Sequence, residues 1–123
     1  LQDMISGMFY HGCSVITKMD RMFVLVAGGY GDDWKEVKTS SMFDIEKKAW
    51  TSTGELHQER GGGVMVNTNK DVFMLGGFDN GRKALNTVER FSVATNEWVT
   101  TNLRMKKARG LFAAIAVNRA TFC

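Results

Sequence analysis

A glycine doublet and a tryptophan each occur twice in this chain at one spacing. Gly28-Gly29 recurs as Gly76-Gly77, and Trp50 recurs as Trp98, both 48 residues further on. Between these anchors the same offset pairs Tyr30 with Phe78, Lys35 with Lys83, Val37 with Leu85, Thr39 with Thr87, Phe43 with Phe91 and Ile45 with Val93. The register runs without a gap from one anchor to the other, and residues as costly to place as paired Gly and Trp hold its ends. Beyond the tryptophan, Arg60 and Arg109 stand 49 apart, so the second copy carries one extra residue. Repetition at this period marks a supersecondary unit that is copied and stacked, because one such unit alone cannot bury its apolar face.

Each copy reads as four short strands. Met22–Ala27 and Val72–Leu75 are continuous apolar runs of strand length, expected to be buried on both faces. Val88–Val93 alternates in part and reads as a third, less buried strand; the fourth carries Trp50 or Trp98. The segments after Arg60 (Gly61–Val66) and after Arg109 (Leu111–Val117) are rich in small residues, as an innermost strand needs where backbones crowd. Asn67–Asp71 and Asp79–Gly81 have hairpin chemistry. No stretch of helical length shows a helical period. A four-stranded unit of this length fits a blade of a β-propeller. Paired glycines then supply positive φ and close approach, and a Trp on the outer strand covers the widening gap between blades. Gly28, Gly29, Trp50, Arg60, Gly76, Gly77, Trp98 and Arg109 are accordingly read as structural.

The run Val72–Trp98 (VFMLGGFDNGRKALNTVERFSVATNEW), followed by Leu103, Met105 and Arg109, resembles the kelch-repeat propellers. So does the earlier set Phe23–Trp50, followed by Arg60. The likeness is greatest to the kelch-like substrate adaptors of cullin-RING ubiquitin ligases. Three departures stand out. The chain has no Pro, whereas the family often places one in turns. Ser40-Ser41-Met42 replaces the Val-Glu-Arg of the second copy, and Met8 takes the place of the first Arg. Aligning Met8 requires about four extra residues in the hairpin around Lys18–Arg21. At 48 residues per unit, 123 residues hold about 2.6 blades, against 4–8 in closed propellers. The expectation is an all-β, kelch-type propeller fragment. It would have one complete blade at 8–55, a second at 60–103 and the inner strands of a third at 109–123, with Ala120–Cys123 the second of these. The start, without Met, and the abrupt end at Cys123 also suggest a piece of a longer protein.

Composition narrows the partners. The net charge of +3 is scattered, and the Arg104, Lys106, Lys107, Arg109 cluster reads as a solvated loop, so no nucleic-acid partner is expected. No apolar run approaches the ~18 residues of a membrane span, and the N-terminus lacks a signal-peptide pattern. Eight Met against two Cys, Cys13 and Cys123, with no CxxC, suit a reduced cytoplasmic protein.

No catalytic constellation emerges. Asp32-Asp33 reads as a solvated turn; His11 and Cys13 share a strand face but lack the further ligands a metal needs; Gly61–Gly63 opens no helix that would make a phosphate loop. Neither a cofactor nor a metal is expected, and the chain is read as a non-enzyme. Function then falls to the loops of a rigid scaffold. The resemblance implies a partner-binding face made of Tyr30–Lys38, Phe78–Asn86 and the connections Thr53–Arg60 and Asn102–Arg109. Its expected contacts are Tyr30, Asp32, Trp34, Lys35, Phe78, Asn80, Arg82 and Lys83. Trp34, whose counterpart is Arg82, is either a binding anchor or a ring folded onto its own loop. Tyr30 and Phe78 either touch the partner or shield the glycines. The implied function is a protein- or peptide-binding module, a substrate adaptor in ubiquitination. Cullin contact would come from BTB and BACK domains outside this segment. An actin-associated kelch protein is the alternative within the binding class; a kelch-fold enzyme such as a copper oxidase is the alternative outside it.

Overall fold

The computed structural model describes Met4, residues 7–68 and residues 71–116. Eight strands form two four-stranded antiparallel sheets, each in simple sequential order. The first contains β1 (Gly12–Lys18), β2 (Arg21–Ala27), β3 (Ser40–Asp44) and β4 (Ala49–Ser52). The second contains β5 (Val64–Asn67), β6 (Val72–Leu75), β7 (Thr87–Ser92) and β8 (Glu97–Arg104). Among the described residues no helix forms, and so none is long and apolar enough to cross a membrane.

The core lies between the sheets. The first contributes Ile16, Phe23, Leu25, Ala27 and Met42; the second contributes Met65, Val72, Met74, Phe91 and Trp98; Leu56 enters from the connection. Each large apolar side chain buried here contributes about 1.5–3 kcal/mol. Period-two alternation sets which residues take part: Val72 and Met74 are buried, while Phe73 and Leu75 on the opposite face of β6 are half-exposed. The apolar run of β6 is therefore buried on one face rather than on both. The outer-strand tryptophan spans the sheets, with Trp98 Nε1 donating to Ser40 Oγ at 2.9 Å. Gly54 N–H donates across to the Asn96 carbonyl at 2.9 Å.

The 48-residue offset is written into the backbone. Gly28 and Gly76 have φ of 69° and 60°, Gly29 and Gly77 have 91° and 97°, Trp34 and Arg82 have 60° and 59°, and Lys48 and Asn96 have 55° and 56°. The glycine doublets need this conformation. A Cβ on Gly28 would stand 2.5 Å from the Arg60 carbonyl oxygen, and one on Gly76 2.4 Å from that of Arg109. The copies differ in their first hairpin. Four residues, 68–71, join β5 to β6, whereas β1 and β2 continue through three further pairs to a two-residue turn at Met19-Asp20. The extra length expected near Lys18–Arg21 thus extends the ladder instead of enlarging the loop. Small residues Gly61–Gly63 lie just before β5, not inside it. Residues 111–116 pair with no described strand, and the rest of the expected third unit, including Ala120–Cys123, lies outside the described residues.

Candidate functional site

Consecutive units are tied by backbone hydrogen bonds near their innermost strands. Gly29 N–H donates to the Arg60 carbonyl (2.8 Å) and Gly77 N–H to that of Arg109 (2.9 Å). Two residues past the repeated Arg position stand Tyr10, Gly62 and Leu111, one per unit. Gly62 N–H donates to the Tyr10 carbonyl at 3.0 Å, and Leu111 N–H to the Gly62 carbonyl at 2.8 Å. All three have positive φ, which places a Tyr and a Leu in a conformation that Gly62 adopts freely.

The aromatic after each doublet lies over the next unit. A Cβ on Gly61 would meet the Tyr30 ring at 2.5 Å, and one on Gly110 would meet the Phe78 ring at 2.4 Å. Tyr30 and Phe78 therefore shield glycines of the following unit while their exposed faces line a cleft. Phe9, Tyr10, Trp34, Glu36, Arg82 and Leu111 complete that cleft, whose volume is about 410 Å³. Phe9 is its hub: it stacks on Tyr30 (ring centroids 5.5 Å, planes 20° apart) and meets Trp34 edge-on at 4.5 Å and Tyr10 at 5.6 Å.

The Trp34 loop is built locally. Trp34 N–H donates to the Gly31 carbonyl and Gly31 N–H to the Lys35 carbonyl, both at 3.0 Å, while Asp33 Oδ1 accepts Lys35 N–H at 3.2 Å. These bonds hold Trp34 at positive φ with its ring against Phe9, yet 72% exposed. Both readings of Trp34 thus have a structural counterpart. Glu36 is only 8% exposed, and its carboxylate pairs with no described cation. Burial, then the nearby Glu36 charge, push the Tyr30 phenol above its ordinary value, while Arg82 draws it back down.

Of the residues expected at a partner face, Tyr30, Trp34, Phe78 and Arg82 meet in this cleft; Asp32, Lys35, Asn80 and Lys83 do not line it. In the second loop Asp79 has the organising role, its Oδ1 accepting Gly81 N–H (2.9 Å) and Lys83 N–H (3.0 Å). The connections 53–60 and 102–109 stay out of the cleft. Leu56 is core, and Arg60 is fully buried, donating from Nε to Glu89 Oε2 at 2.9 Å. Sequence reasoning placed Glu36 within the Tyr30–Lys38 face without naming it as a contact, and gave Phe9 no role. The only available signal was that an aromatic and an acid fell in the innermost and second-to-third connections of the least regular unit. His11 is half-buried with Nδ1 unpartnered, Cys13 is exposed, and among the described residues no three His, Cys, Asp or Glu gather as a metal set.

Residues 59–101 match the profile of the Kelch motif family. Alpha-scruin of Limulus polyphemus is 28% identical over 102 residues, covering 78% of this chain and 11% of that protein. The chain therefore spans about a ninth of the length of the curated relative it matches. The matched kelch motif falls on the second sheet, the first is built on the same register and backbone signs, and this all-β pair of four-stranded sheets is consistent with a kelch-type propeller fragment.

Proposed function

We propose that this kelch-repeat chain is a docking module that recognises a protein or peptide through the aromatic cleft. We further propose that it serves as the substrate-receptor part of a cullin-RING ubiquitin-ligase adaptor, working in the cytoplasm. The observation carrying the docking reading is convergence. Tyr10, Trp34, Arg82 and Leu111, four non-glycine residues at positive φ, all border one cleft. Such backbone strain costs on the order of 1–3 kcal/mol per residue and gathers at ligand clamps and active sites. Trp34 and Tyr10 add large, mostly exposed aromatic surface, the composition of binding hot spots. The adaptor role rests on the resemblance of Val72–Trp98 and its flanks, with the binding step performing no chemistry.

The test uses the full-length protein and its co-purifying partners. Trp34→Ala should weaken partner binding by about 2 kcal/mol or more, the scale of a hot-spot truncation, and Arg82→Ala should weaken it less. Unchanged affinity in both variants would remove the cleft as the docking site. Co-purification of a cullin supports the adaptor role; co-sedimentation with actin filaments, without cullin, supports the actin-associated alternative instead.

A further inference from the structure

The cleft that the docking reading relies on has an electrostatic character of its own. Aromatic rings carry negative faces, and a cation seated over one is attracted most strongly when both are shielded from water. Here the faces of Tyr30, Trp34 and Phe9 are held together by ring contacts of 4.5–5.5 Å, so the cleft needs no rearrangement to present them. Beside them lies Glu36, 8% exposed as a residue, whose carboxylate pairs with no described cation. An apolar occupant would strip this carboxylate of the water it keeps with nothing in return, which is costly for an unpaired charge. A cationic occupant removes that cost and adds ring-face attraction. Arg82, at the lip, does not ion-pair with Glu36. It gives the entrance a positive border that favours one cation with neutral or acidic neighbours over a polybasic run.

We propose that this cleft takes a single basic side chain, arginine before lysine, presented by the protein partner, with Glu36 as its counter-ion and Trp34, Tyr30 and Phe9 as its aromatic walls. Arginine ranks first because its planar guanidinium stacks on rings and pairs with a carboxylate through two parallel hydrogen bonds. Carrying the docking proposal one step further, this names the group the docking face reads.

The experiment titrates the full-length protein with N-acetyl-arginine amide and with its neutral isostere N-acetyl-citrulline amide, following the Trp34 indole N–H resonance. The arginine probe should shift that resonance saturably, and the citrulline probe should bind at least about tenfold more weakly. Glu36→Gln should reduce arginine affinity by a similar factor with an unchanged melting temperature or a higher one. Should Glu36→Gln not fold, Trp34→Leu, followed by titration calorimetry because the indole reporter is gone, keeps an apolar wall without the π face and should weaken the arginine probe while sparing the citrulline probe. Equal binding of both probes, an unaffected Glu36→Gln variant, or no response to the arginine probe overturns the proposal. If partner binding falls on Trp34→Ala but ignores Glu36→Gln, only the cation inference fails; if it ignores both, the docking reading fails too.

Discussion

Arg60 and Glu89 form an ion pair in which each side chain is 2% exposed. Burying such a pair is tolerable only when the remaining donors and acceptors are satisfied. Arg60 also donates from Nη1 to the Gly76 and Thr87 carbonyls and from Nη2 to Thr87 Oγ1, while Glu89 Oε1 accepts His57 N–H at 2.7 Å. Burial lowers the basicity of the guanidinium, and the Glu89 bond and charge restore part of it. In the first unit Met8 holds the Arg60 place and Ser41 lies 48 residues before Glu89, so both charges are missing together. Arg60→Met alone should cost about 3–5 kcal/mol in denaturant unfolding, because it strands Glu89. The double variant Arg60→Met with Glu89→Ser should cost less than the two single changes combined. His11 gives a pH signature. Burial lowers its pKa from the ordinary 6.5, so the unfolded chain takes up the proton first on acidification. Stability should be fully kept above about pH 6.5 and decline as pH falls through the depressed folded value. His11→Gln should flatten that slope in urea midpoints measured between pH 7.5 and 5. At this scale the anchors Gly28, Gly76 and Trp98 were legible because repetition exposed them. Glu36 and Phe9 were not, since folding rather than sequence proximity brings Tyr30 and Trp34 beside Phe9 and pairs Tyr30 with Glu36, and one copy shows no pattern.

At the scale of strands and loops, the repeat predicted which segments pair but not how each ladder ends. The number of residues in the β1–β2 connection was readable; its use as three more rungs closed by Met19-Asp20 was not, since turn and ladder compete for the same residues. The inner segment was read as strand from Gly61, yet the continuous ladder starts at Val64: Gly61 keeps only an isolated bridge to Phe78, Gly62 turns to the Tyr10 carbonyl of the preceding unit, and the Tyr30 ring of that unit lies against Gly61. That contact offers a clean probe. A methyl at position 61 would collide with the end of the Tyr30 ring, a movable group, rather than with backbone. Gly61→Ala should therefore lower stability by no more than about 1–3 kcal/mol. The displaced ring narrows the cleft, so partner affinity should drop more than the melting temperature implies. Calorimetric binding beside a thermal melt checks both.

Across the whole molecule, the two sheets cover one face of each other and leave the outward faces half-open. Phe73 and Leu75 on one side, and Val24 and Phe43 on the other, keep part of their surface exposed among the described residues. Exposed apolar sheet surface is an association hazard. The 123-residue polypeptide on its own should show a mass that rises with concentration in sedimentation equilibrium, and a constant monomer mass would contradict this. Repetition made the all-β, propeller-type plan readable from the chain alone, since a period of 48 with these anchors has few physical solutions.

The Tyr10–Gly62–Leu111 relay of backbone bonds has a last consequence. Because the cleft takes its rim from loops of both sheets and from Leu111 beyond them, neither sheet excised singly could close it. Evolution can then retune what is gripped by swapping residues in any one copy, provided the spacing that hands each bond to the next is left alone.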